Sequence, residues 1–198
     1  MAGRYLETMF TADVLAAQRK AYGAAQEVHG TPERDPLGAA EQEFIATRDS
    51  FFLATVNRDG WPYVQHRGGP AGFLRVLDER TVAFADLRGN RQLLSTGNVA
   101  ANDRVALFLI DYPARQRLKL LGHARVVDAD ADRELVARVA VDGLRGKIER
   151  VFVIDVVSHD WNCPSGITPR YTAAEVDEAV APLRARLAEL EAQLAAKR

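Results

Sequence analysis

The chain has 198 residues, 47% of them hydrophobic, with 26 Lys+Arg against 27 Asp+Glu. That length suits one domain with a sizeable core plus terminal additions, and the charge balance excludes a net field drawing the protein to nucleic acid or anionic lipid. The single cysteine, Cys163, excludes an intramolecular disulfide and fits a reducing compartment. No apolar run reaches the ~18 residues that a membrane helix needs. The N-terminus Met-Ala-Gly-Arg-Tyr-Leu-Glu lacks a signal peptide's apolar core, so a cytoplasmic protein without membrane contact is expected.

Residues 11–22 read as a helix with Thr11 as N-cap. From Gly23 to Gly38, glycines, prolines and mixed charge predict an irregular wrapping segment. Ala39–Arg48 is a second short helix presenting Phe44 and Ile45 inward. The period then changes from about 3.6 to 2. Phe51–Val56 and Trp61–Arg67 form a hairpin around Asn57-Arg-Asp-Gly60. In the returning strand Trp61, Tyr63, Gln65 and Arg67 share one face, while Val64 and His66 share the other. Gly68-Gly69-Pro70 ends it, and strands follow at Phe73–Leu77 and Thr81–Ala85.

Leu87–Asp103 is helical in parts, interrupted by Gly97 and rich in Asn and Ser, which favour caps. Arg104–Asp111 is a central strand, and Arg117–Val127 a long one whose Gly122 marks a bulge or bend. Asp130–Val141 is an amphipathic helix, Val151–Val157 the last core strand, and the chain is expected to turn irregular after Ser158. From Ala173 a helix carries Val176, Val180, Leu183, Leu187, Leu190 and Leu194 in alternating steps of four and three. Pro182 inside it predicts a kink or a second helix start. Short strands in hairpin order with helices outside them imply a mainly β, α+β protein built on an antiparallel barrel of six or seven strands.

Two constellations can carry chemistry. Arg67 leaves its strand just before two glycines, which allow close backbone approach or positive φ. Arg88 and Arg91 flank the polar turn, with Asn90, Gln92 and Ser95 as hydrogen-bonding company. Forked guanidinium donors suit a phosphate well. Spacing alone favours a plainer reading, of surface arginines solvating a barrel rim. The second constellation is Trp161-Asn162 with Arg170. Other candidates are weaker: the four histidines are too scattered for a metal signature, Cys163 has no base placed beside it, and no catalytic residue can be named.

The patterns Phe-Leu-Ala-Thr-Val-x-x-Asp-Gly-x-Pro at Phe52–Pro62 and Asn-Asp-Arg-Val-Ala-Leu-Phe at Asn102–Phe108 resemble the flavin-nucleotide-binding proteins related to pyridoxamine 5'-phosphate oxidase. The likeness covers roughly residues 40–172. It implies the FMN-binding split β-barrel over residues 39–172, preceded by a helix and wrapping segment at 1–38 and followed by an amphipathic helix at 173–198. It implies FMN as cofactor, with Gln65, His66, Arg67 and Gly68 toward the ring and ribityl chain. Asn90, Arg91, Gln92 and Ser95 would face the ribityl and phosphate, Trp161 and Asn162 would cover the ring edge, and Arg170 would pair with phosphate or substrate. The chain departs from the oxidases in offering Ser95 where they often carry a Lys, so Arg88 or Arg91 would supply that charge. It also ends in a leucine-spaced helix rather than their substrate motif, which argues against activity on pyridoxamine phosphate.

The resemblance implies an FMN-dependent oxidoreductase acting on a small planar substrate or a nicotinamide nucleotide, as a homodimer with flavin sites at the interface. The alternatives are a non-catalytic flavin carrier or sensor, or a barrel binding haem or a deazaflavin. Neither nucleic acid nor membrane is an expected partner.

Overall fold

The computed structural model describes residues 3–29, 33–89, 91–162 and 164–196. Contacts divide the chain into two units, residues 1–111 with 116–163, and residues 112–115 with 164–198. Asn90 and Cys163 lie outside the described residues.

Among its described residues the first unit holds seven strands: β1 (Ser50–Val56), β2 (Pro62–Gly68), β3 (Arg75–Asp78), β4 (Thr81–Leu87), β5 (Arg104–Asp111), β6 (Gln116–Asp128) and β7 (Ile148–Asn162). Its helices are α1 (Gly3–Met9), α2 (Ala12–Tyr22), α3 (Ala39–Ala46), α4 (Leu94–Ala101) and α5 (Arg133–Val139). All strand pairings are antiparallel, in the order β2-β1-β5-β6-β7-β4-β3, so β2 and β3 are the two edges of one strongly linked sheet. This is the expected split barrel, mainly β with helices around it.

The β1–β2 hairpin forms where Asp-Gly predicted it. The Asn57 side-chain carbonyl accepts from the Asp59 and Trp61 backbone N–H groups at 3.0 and 2.8 Å, and Gly60 takes φ +88°. Alternation then sorts side chains to the two faces. Phe51, Leu53 and Thr55 of β1 are buried, as are Val82, Phe84 and Asp86 of β4 and Phe152, Ile154 and Val156 of β7. The apolar members of these rows, with Leu107, Leu109, Leu118 and Leu120, make the barrel core. The opposite faces of β4 and β7 place Ala83, Val151 and Val153 under Leu135 and Val139 of α5. α5 starts at Asp132, whose carboxylate accepts from Leu135 N–H at 2.9 Å.

Two expectations need correction, on β3 and β7, and two further features are settled here. α1 was not legible; it is a short helix held by the buried Tyr5, whose ring lies 4.4 Å from Lys119 Nζ. β3 begins at Arg75, not Phe73. β7 continues through His159-Asp-Trp-Asn162 instead of turning irregular after Ser158. It does so because β6 offers polar partners in register there: Lys119 opposes Asp160 and pairs with it at 2.7 Å, and Arg117 opposes Asn162. The Gly68-Gly69 corner does not use positive φ. A Cβ on Gly69 would lie 2.7 Å from the Phe73 ring, so the second glycine makes room for a core aromatic.

The second unit contains the Tyr112–Arg115 turn, the segment after Pro164, and α6 (Ala173–Ala195). α6 opens with a capping box, Thr172 Oγ1 accepting from Glu175 N–H at 3.2 Å and the Glu175 carboxylate accepting from Thr172 N–H at 2.7 Å. It runs as one helix through Pro182. No helix among the described residues is long and apolar enough to cross a membrane.

Candidate functional site

The inner row of β4 ends Val82, Phe84, Asp86, and β7 lays Ile154, Phe152 and Arg150 opposite them in register. The same alternation that builds the core therefore carries a carboxylate and a guanidinium into the open end of the barrel. Across the split, β2 is an edge strand whose inward residues are Tyr63, Gln65 and Arg67, half-buried between exposed neighbours. Arg67 spans the gap. Its Nη1 donates to Asp86 Oδ1 at 2.7 Å, and its guanidinium lies 5.4 and 5.3 Å from the Phe84 and Phe152 ring centroids. Arg150 Nε donates to the other oxygen, Asp86 Oδ2, at 3.0 Å, and Arg150 Nη2 to Glu149 at 3.1 Å. One buried carboxylate thus holds two arginines from different strands. Arg67 Nε is buried and has no hydrogen-bond partner among the described residues.

The roof of this end is α4 and the turn before it. Arg91 and Leu93 both take left-handed backbone, φ +63° and +54°. For non-glycine residues such conformations persist only where the surroundings determine them, and they concentrate at ligand sites. Leu93 is the N-cap, and its side chain supplies no hydrogen bond to the helix start. One face of α4 is fastened to the barrel: Ser95 Oγ donates to Gln65 Oε1 and Asn98 Nδ2 to Thr55 Oγ1, each at 2.9 Å. Together these elements enclose a cavity of about 200 Å³, lined by Gln65, Arg67, Asp86, Arg91, Ser95 and Arg150 among others.

The structure brings Gln65, Arg67, Arg91, Gln92 and Ser95 to this one cavity. Of the others, Asn90 lies outside the described residues, Arg170 belongs to the second unit, and the remaining ones stand elsewhere in the first. His66 stands on the opposite, exposed face of β2, edge-on to Phe52 with ring centroids 5.5 Å apart. Gly68 closes the strand opposite Ser50. Arg88 is exposed, 3.7 Å from Glu149. Arg170 belongs to the second unit, where its guanidinium lies 4.9 Å from the Tyr112 ring centroid. Asn162 closes β7 opposite Arg117. Sequence reasoning missed Asp86 and Arg150; a charged residue at the end of an inward apolar alternation was the available signal.

Trp161 serves another purpose. Its Nε1 donates to Glu41 Oε1 at 2.6 Å and its ring meets Phe44 edge-on at 4.9 Å. Glu41 Oε2 meanwhile accepts from Gly38 N–H at 2.9 Å, capping α3. Burial works to raise the Glu41 carboxyl, but the Trp161 bond, backbone N–H groups and nearby His159 outweigh it and hold it below its ordinary value of 4.5. A depressed folded-state value means a stabilising contribution that is full above pH 4.5 and lost as pH falls through the lowered value. Glu41→Gln keeps the shape but leaves one donor short, a cost of about 1–2 kcal/mol at neutral pH. Melting curves should show this gap from wild type near pH 7 and see it close in acid; a gap independent of pH would remove the carboxylate's charge from the account.

The model of the family described as pyridoxamine 5'-phosphate oxidase matches residues 37–156, more than half of the chain. A comparison with curated proteins finds no match. Among solved structures, HupZ of Group A Streptococcus is 16% identical, with 68% of this chain and 99% of that one covered and a TM-score of 0.52. A point variant of HupZ gives 15% identity, coverages of 64% and 99%, and a TM-score of 0.51. An FMN-binding protein from Syntrophomonas wolfei subsp. wolfei is 13% identical, with coverages of 62% and 83% and a TM-score of 0.48. At these identities the HupZ structures speak for the fold. The matched residues run from Leu37, before α3, to Val156 in β7, and so take in both walls of the cavity and its roof. By that match the chain belongs to the pyridoxamine 5'-phosphate oxidase family.

Proposed function

We propose that this protein binds FMN, with the phosphate arm in the Arg67 cavity, and uses it for hydride transfer. The observation that carries the reading is the convergence of Gln65 and Arg67 from β2, Arg150 from β7 and Ser95 from α4 on one cavity at a helix start. The donor set fits a phosphate. The buried Arg67 Nε, without a hydrogen-bond partner among the described residues, is a donor that an anionic oxygen would satisfy, and the start of a helix favours an anion. Arg91 adds a third guanidinium at the rim. Size narrows the fit. A cavity of about 200 Å³ is smaller than the roughly 300–1,000 Å³ of pockets for whole drug-sized ligands. It suits the phosphate and ribityl chain, leaving the ring system outside it.

That arrangement favours a homodimer in which a second copy covers the ring. The outer face of the β1–β2 hairpin supports this, since it leaves Phe52 and Val64 exposed beside the split. The flavin supplies the hydride chemistry when bound. The chain's own work is to hold the phosphate through Arg67 and Arg150, fix the ribityl side through Gln65 and Ser95, and exclude water at the ring. The acidic groups in the cavity, Asp86 and Glu149, are both engaged by arginines, so neither is poised as a general base. That leaves reduction by a nicotinamide nucleotide or by a small planar substrate.

Anaerobic stopped-flow mixing tests the reading. Purified protein reconstituted with FMN should show the flavin band, lose it on adding NADH or NADPH, and keep it on adding pyridoxamine phosphate. Bleaching by pyridoxamine phosphate would instead identify a vitamin-salvage oxidase. Indifference to every reductant would favour a non-catalytic flavin carrier or sensor, and a Soret band in place of a flavin band would overturn FMN as the ligand.

A further inference from the structure

α6 carries an apolar edge that has no counterpart in its own unit. Val176, Leu183, Leu187, Leu190 and Leu194 are exposed, and with Val180 they form a seam in steps of four and three. The rest of that unit is a four-residue turn, Tyr112–Arg115, and the segment leading from Pro164 into the helix. Pro182 does not interrupt the seam. It stands two residues past Val180, on the outer side, and the carbonyl its missing N–H leaves free belongs to Glu178, also on the outer side. That is the convex, solvated side of a helix wrapping a partner.

Flanking charges select the partner and its direction. Asp177, Arg184 and Glu191 follow seam residues on one side, and Ala179, Arg186 and Gln193 precede them on the other. Two copies laid antiparallel with their seams overlapped would set Arg184 against Arg184, Arg186 against Arg186, and Asp177 against Glu191. Every charged pairing would be of like sign. Laid parallel and in register, Arg186 of each copy lies beside Glu191 of the other, and no like-charged pair forms. In the single helix Arg186 and Arg184 lean on the exposed Glu189 and Asp177, pairings weak enough to exchange. Val at 180 with Leu at 183 and 190 also fits a two-stranded rather than a higher assembly.

We propose that α6 joins α6 of a second copy of this chain in a parallel, in-register, two-stranded coiled coil. This stands apart from the flavin reading, since barrels could pair without the helices and the helices without flavin.

Disulfide capture in the full-length chain carrying Cys163→Ser tests it. Val180→Cys and Leu190→Cys should each link to their own kind under mild oxidation, at least about tenfold faster than Ala185→Cys on the outer side, because only seam positions come within disulfide reach. Adding Glu191→Arg to the Leu190→Cys chain should slow capture, and Arg186→Glu on top of it should restore the rate. Linkage only when the Val180→Cys and Leu190→Cys chains are mixed would mean an antiparallel pair. That result, equal capture at Ala185→Cys, or no capture at either seam position, overturns the proposal.

Discussion

Replacing Arg67 with alanine is expected to weaken FMN binding by roughly 2–5 kcal/mol, at least tenfold in Kd. Arg67 is half-buried, stacked near Phe84 and Phe152, and held by Asp86, its Nε without a hydrogen-bond partner among the described residues. A guanidinium already ordered in this way loses little freedom when it takes a phosphate oxygen, and removing it leaves that oxygen facing a nearby carboxylate. The barrel should survive, because Asp86 retains Arg150. Titrating apo protein with FMN and with riboflavin separates the phosphate from the ring. Wild type should prefer FMN, and Arg67→Ala should lose most of that preference while riboflavin affinity changes little. An unchanged FMN affinity would take Arg67 out of the site.

Gly122→Ala should be the most damaging small substitution in the barrel. β6 and β7 slip register between Leu121 and Gly122, and an added Cβ there would lie 2.6 Å from the Asp155 carbonyl oxygen and 2.8 Å from Ile154 Cγ2. The first obstacle is backbone in the central strand pair and cannot rotate aside. Relief requires β7 to move away from β6, at a cost of about 2–4 kcal/mol. For a chain of this size that lowers Tm by roughly 5–15 °C. Calorimetry of the variant checks it. A wild-type Tm would mean that the bulge has room to relax.

Period-two alternation made most of the barrel legible, along with the facing of Gln65 and Arg67, because each depends on neighbours in sequence. The glycine bulge at 122 was readable for the same reason. What stayed hidden depends on pairing between distant strands. Asp86 and Arg150 become site residues only because the β4–β7 register sets them opposite each other. Trp161 and Asn162 read as loop because their segment is polar, yet β6 supplies Lys119 and Arg117 across from that segment. His66 was placed with the ring by likeness to a motif, whereas strand geometry turns it outward. Local chemistry was visible, and long-range register was not.

Asp86 is where β2, β4 and β7 are tied by charge, through partners 19 and 64 residues away in the chain. The cavity therefore exists only once strands well separated in sequence have met, and an unfolded or half-folded chain offers a ligand none of it. Occupancy and folding are then a single coupled equilibrium. Every tenfold rise in free ligand above its Kd adds about 1.4 kcal/mol to the apparent stability of the folded barrel. The resistance of this protein to heat and proteolysis would then follow the supply of its ligand.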